Sequence, residues 1–167
     1  LLTASGAGDA IVVLSDVFTN LAGAGAFNLT GGGRFLVYST DYEAIDRGGL
    51  IGNNLYNRTF VDAPPGSVTQ PGNLFIFQRQ PILTFTADDA TRTYGQGSPA
   101  YTFQFTGLVN GDSDFYAFSG MPNLFDSGSG NAGVDSILIE QGSLFSDVGY
   151  GFDFVAGALT TLRAQLT

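Results

Sequence analysis

The chain has 167 residues, of which 44% are hydrophobic and 13% aromatic, with 24 glycines and a net charge of −9. It contains no Cys, His, Trp or Lys, and its six basic residues are all Arg. These numbers allow one or two domains with a real core. They exclude a disordered chain, a disulfide or thiolate-metal framework, imidazole acid–base chemistry and any reaction that needs a lysine amine; six Arg spread from Arg34 to Arg163 in an acidic chain also argue against nucleic-acid binding and anionic bilayers.

Leu1-Leu2-Thr3 has neither the basic start nor the cleavage site of a signal peptide, and no initiator Met is present. The chain also starts in mid-pattern, so it is expected to be a fragment of a longer, secreted protein. Apolar runs such as Ala10–Leu14 are far shorter than the roughly 20 residues of a spanning helix. Ile11–Leu14 is the first predicted strand, and Phe35–Tyr38 the next. Val12 and Leu36, at their centres, are 24 residues apart, with Phe18-Thr19-Asn20-Leu21, small Ala/Gly corners and Phe27-Asn28-Leu29 between them. Short strands joined by small-residue corners at this spacing can coil into a parallel β-helix. A small antiparallel sandwich is the other arrangement open to this half. The Gly- and Asn-rich stretch 41–73 is expected to cover the bare strand edges, and its Pro-rich part, 62–72, cannot be a central strand.

Leu74–Phe77 is the last predicted strand before Gln80-Pro81, and the chain is divided there, into 1–80 and 81–167. The second half begins with Ile82–Phe85, turns at Tyr94-Gly95-Gln96-Gly97-Ser98-Pro99, and continues with Tyr101–Phe105. Asn110-Gly111-Asp112 is a strong turn signal, because both Asn and Gly tolerate positive φ. Asp112–Phe118 can form one helical turn capped by Asp112. A Gly/Ser-rich loop at 127–133 precedes Ile137–Ile139 and Phe152–Val155. No stretch holds a helical period over three turns, so the fold class is all-β.

Three motifs in the second half resemble the MBG ("mostly β-grasp") domain of bacterial exoproteins. They are Leu83-Thr84-Phe85-Thr86-Ala87-Asp88-Asp89-Ala90-Thr91-Arg92-Thr93-Tyr94-Gly95-Gln96, then Phe105-Thr106-Gly107-Leu108-Val109-Asn110-Gly111-Asp112, and Gly149-Tyr150-Gly151-Phe152-Asp153-Phe154-Val155-Ala156-Gly157-Ala158-Leu159-Thr160. In the first half, Gly31-Gly32-Gly33-Arg34-Phe35-Leu36-Val37-Tyr38-Ser39 and Asn73-Leu74-Phe75-Ile76-Phe77 resemble the end of the shaft in filamentous-haemagglutinin-like proteins, with Phe35 where Trp is more usual. The resemblance implies the last rungs and cap of a right-handed parallel β-helix, followed by a small β-grasp module. It also implies a stalk segment of a bacterial adhesin exported by two-partner secretion. Its partners would be neighbouring repeats of the parent chain, an outer-membrane transporter, and matrix polysaccharide or a cell surface. A carbohydrate-binding module is the alternative.

Arg34, Tyr38, Tyr94, Gly95, Asn110, Gly111, Asp112 and Tyr150 are expected to be structural. Tyr94, beside Gly95 in a turn, is expected to bury its ring and tie its hydroxyl to backbone, with glycan stacking as the other role. Phe115, Tyr116 and Phe118 are expected in the core, or on a sugar face if exposed. Asp112 with Asp114, and Asp126 with Asp135, could ligate calcium. Neither pair has EF-hand spacing or a distal bidentate Glu, so turn roles are the plainer reading and no cofactor is expected. The neighbouring carboxylates Asp88-Asp89 and Asp41/Glu43 do not face each other across a cleft as glycoside hydrolysis requires. The Ser residues lack an activating base, and Gly31–Gly33 is followed by no phosphate-binding helix. No enzyme activity is expected.

Overall fold

The computed structural model describes residues 1–128 and 130–165. Thirteen strands and a single helical turn of four residues are present among them, so the fold is all-β. No helix among the described residues is long and apolar enough to cross a membrane. The chain divides into two compact units. One comprises Leu1–Pro81 with Asn110–Asp112 and Val148–Tyr150; the other comprises Ile82–Val109, Ser113–Asp147 and Gly151–Thr167.

In the first unit the strands are β1 (Leu2–Ala4), β2 (Asp9–Leu14), β3 (Phe27–Leu29), β4 (Arg34–Ser39), β5 (Asn53–Leu55) and β6 (Leu74–Phe77). Every pairing between them is parallel, which removes the antiparallel sandwich. Leu2 lies beside Phe27, Ile11 beside Phe35 and, in an isolated bridge, Thr19 beside Asp46. Two successive stretches of chain therefore stack turn upon turn. The larger sheet then departs from simple stacking. Its order is β2-β4-β6-β5, so β6 inserts between β4 and the earlier β5. The stretch 41–73 is thus not all cover, because Asn53–Leu55 within it is a sheet strand.

Side chains alternate across this sheet. Phe35, Val37 and Phe75 face one side, where Phe27 and Phe35 meet edge-on at 5.1 Å and Phe35 and Phe75 at 5.4 Å. Arg34, Leu36 and Tyr38 face the other. Both faces of β4 and β6 are buried, as their nearly unbroken apolar sequences require.

The second unit holds β7 (Ile82–Ala87), β8 (Ala90–Thr93), β9 (Phe103–Thr106), α1 (Asp114–Ala117), β10 (Asn123–Asp126), β11 (Gly133–Glu140), β12 (Gly151–Val155) and β13 (Gly157–Leu162). Its two sheets are mixed, β12-β7-β9 and β10-β11-β13-β8. β7 runs parallel to β12 in one sheet, and their continuations β8 and β13 run parallel in the other. Two adjacent strands therefore bend together at a corner and serve both sheets. The corner is fastened by the Ala158 N–H donating to Asp89 Oδ1 (2.7 Å) and by Thr102 Oγ1 donating to Asp88 Oδ2 (2.7 Å). Leu83, Phe85 and Ala87 are the buried residues of β7, one on every second position. Phe85 stands at the centre of five other phenylalanines, Phe103, Phe105, Phe118, Phe152 and Phe154, all with ring centroids within 6.1 Å of its own.

Candidate functional sites

Arg34 and Tyr38 share the outer face of β4, and both fasten the irregular segment that crosses it. Arg34 Nε pairs with Asp9 Oδ1 at 2.5 Å. Its two terminal nitrogens donate to the carbonyls of Gln70 and Val68. Asp9 in turn accepts the Gly66 N–H at 2.6 Å. Tyr38 Oη donates to the Ala63 carbonyl at 2.7 Å, and its ring meets Phe60 edge-on at 5.2 Å. Burial, with the Asp9 charge nearby, raises the Tyr38 hydroxyl above its ordinary pKa. A guanidinium with several donors suits a loop that offers mainly carbonyls.

A second polar group, also in the first unit, centres on Asp112. Tyr56 Oη (2.7 Å) and Tyr150 Oη (2.8 Å) donate to Asp112 Oδ2, and Asn54 Nδ2 donates to Oδ1 (2.7 Å). Asn54 Oδ1 accepts from Arg47 at 2.6 Å, while the Arg47 guanidinium lies over the Phe75 ring, 4.3 Å from its centroid. Tyr56 is fully buried, and desolvation, reinforced by Asp112, pushes its hydroxyl far above the ordinary range. Asp112 therefore does not cap the helical turn as expected. That role falls to Ser113, whose extended backbone lets its side chain accept from the Tyr116 N–H. Asn110 and Gly111 both have positive φ, +54° and +75°, so the turn there has the conformation its residues favour.

Tyr94 departs from expectation. Its side chain is 54% exposed. β8 ends at Thr93, and the Gln96 N–H closes a turn on the Thr93 carbonyl with Gly95 at φ +85°, which carries the Tyr94 ring off the core face. The tyrosine that is tied down in this loop is Tyr101. Its hydroxyl donates to Asp126 Oδ2 at 2.6 Å, beside Ser98 Oγ at 2.7 Å, with Arg92 Nη1 at 3.7 Å from the same oxygen. The Ser98 and Tyr101 hydroxyls hold the Asp126 carboxyl down to about 2. Nothing in the spacing of Ser98, Tyr101 and Asp126 marks them as partners, because 25 residues separate the last two.

Three of the four calcium candidates accept hydrogen bonds from the protein itself. Asp112 and Asp126 accept the bonds above, and Asp114 accepts the Phe115 N–H. Asp135 sits in β11 opposite Leu159, and residue 129 of the 126–135 loop lies outside the described residues. No group of three or more Asp or Glu among the described residues is placed to hold a metal ion. Asp41 and Glu43 both accept from Arg79, at 3.0 and 2.7 Å. Phe115, expected in the core, is 94% exposed. α1 is one turn long and buries only Ala117; Phe118 follows in extended backbone, half-buried and edge-on to Phe85 at 5.2 Å and Phe105 at 5.0 Å. A shallow hollow beside Phe115 is lined by Asp114, Phe118, Ser119 and Gly120.

The geometry defines a class first. It is an all-β chain of two units, one built from stacked parallel strands and one from two mixed sheets, with its conspicuous polar groups spent on fastening loops. Residues 83–160 match the family model described as the MBG domain (YGX type), a stretch that takes in all three motifs of the second half. No curated protein sequence and no solved structure matches the chain.

Proposed function

We propose that the chain is a stalk segment of a large secreted bacterial adhesin, without catalytic activity. The observation that carries this reading is the turn-upon-turn parallel stacking of Leu2 on Phe27, Ile11 on Phe35 and Thr19 on Asp46. Such stacking extends by repetition, so the first unit is read as the last turns of a right-handed parallel β-helix with its cap, and 81–167 as a β-grasp module. The match of 83–160 to the MBG domain supports placement in an exported surface protein. Two-partner secretion, an outer-membrane transporter and neighbouring repeats as partners follow from the likeness of 31–39 and 73–77 to filamentous-haemagglutinin shafts. Attachment to cells, surfaces or matrix polysaccharide then belongs to the parent protein. Antibodies raised against the chain should label intact, unpermeabilised cells of the source organism. Labelling confined to permeabilised cells would overturn the reading.

One observation favours a second reading, a carbohydrate-binding module. The Phe115 ring stands free beside a carboxylate and a hydroxyl, Asp114 and Ser119, a combination that can hold a sugar face and its hydroxyls. Glycan binding by the full chain that Phe115→Ala abolishes would favour this reading over the stalk.

A further inference from the structure

The β2-β4-β6-β5 sheet of the first unit has two edges, and they are treated differently. Along β2 the outward-facing Val12 and Leu14 are 40% and 65% exposed. At the other edge the chain leaves β5 into Tyr56, whose N–H donates to the Val148 carbonyl at 2.7 Å. Here the first unit uses residues far away in sequence, 110–112 and 148–150. Gly149 lies so close to the Tyr56 carbonyl that any side chain at 149 would collide with it. Gln80 Nε2 donates to the Gly149 carbonyl at 3.2 Å, and the Tyr56 and Tyr150 rings meet edge-on at 5.0 Å.

We propose that Asp112 is the latch of a cap that seals the β5 end of the stacked strands. Its one carboxylate collects donors from 54, 56 and 150, and so ties three separate stretches of chain into one unit. A carboxylate is suited to this, since it offers four lone-pair sites and no donor, and its partners arrive only as donors. With 148–150 seated there, β5 cannot accept a further strand at Tyr56, and stacking can continue only from the β1 and β2 side. The Asn110-Gly111-Asp112 turn, inside the stretch that matches the MBG domain, thereby completes a fold that begins at residue 1. The first unit is not encoded by residues 1–80 alone.

Hydrogen exchange on the full chain tests this. In Asp112→Asn, where two of the acceptor sites become donors, protection of the Tyr56 amide should fall by about tenfold or more, the size expected for charge-assisted bonds. Protection at Ile137 and Ile139 in β11 should hold, and Asp114→Asn should change neither. Tyr150→Phe removes a single donor and keeps the ring; it should give a smaller loss at the same amide, and it serves if Asp112→Asn fails to fold. Unchanged Tyr56 protection in the folded variants would overturn the proposal. So would an equal loss at Tyr56 and in β11, which would mark Asp112 as a general stabiliser rather than a latch.

Discussion

At the scale of residues, the polar side chains that matter are those that reach backbone across a gap. Tyr38→Phe removes one buried bond to the Ala63 carbonyl and should cost about 1 kcal/mol in denaturant unfolding. Arg34→Ala removes two carbonyl bonds and leaves Asp9 without its cation, so its cost should be larger, roughly 2–3 kcal/mol. Equal losses for the two would contradict the roles assigned here. Tyr94→Ala should change stability by less than about 0.5 kcal/mol, because its ring is mostly outside. Asp126 gives a pH dependence. Its folded-state pKa of about 2 lies below the ordinary carboxylate value, so it stabilises the fold above about pH 4 and loses that contribution as pH falls toward 2. Asp126→Asn should therefore be less stable than the parent chain at neutral pH, with the gap closing on acidification; a gap that stayed constant would rule out the carboxylate as its source.

At the scale of elements, the two cores differ in how openly the sequence declares them. Phe85→Ala should cost about 3–5 kcal/mol, since it opens a cavity among five phenylalanine rings. This core is legible, because β7 alternates and its neighbours carry Phe at matching steps. The same is true of β4 and β6, whose short runs of Val, Ile, Leu and Phe are what a doubly buried parallel strand needs. β5 is not legible. Asn53-Asn54-Leu55 has the composition of a turn and becomes a strand only because β6 returns alongside it. Asp112 misleads for a related reason. Its local context favours a helix cap, but Ser113 serves that purpose from one residue further on, and the donors that claim Asp112 lie at 54, 56 and 150. Phe115 misleads in the opposite sense: an aromatic cluster at 115–118 reads as core, while a single helical turn buries only part of it.

At the scale of the whole molecule, the proposed stalk role requires no ligand on these 167 residues. Charged and polar groups in both units are engaged in fastening loops and corners, at Asp9–Arg34, Asp112, Asp126 and Asp88-Asp89. Along the first unit the edge strand β2 keeps exposed apolar residues, and such an edge is a template for further pairing. Leu14→Lys should reduce any concentration-dependent association of the chain measured by sedimentation, with its thermal unfolding little changed. The stalk reading itself is tested most directly by the full chain on a broad panel of glycans and bacterial exopolysaccharides. A stalk segment should show no saturable binding tighter than about 1 mM to any of them. Saturable binding in the micromolar range that is lost in Phe115→Ala would contradict it, and would make this segment a binding module in its own right.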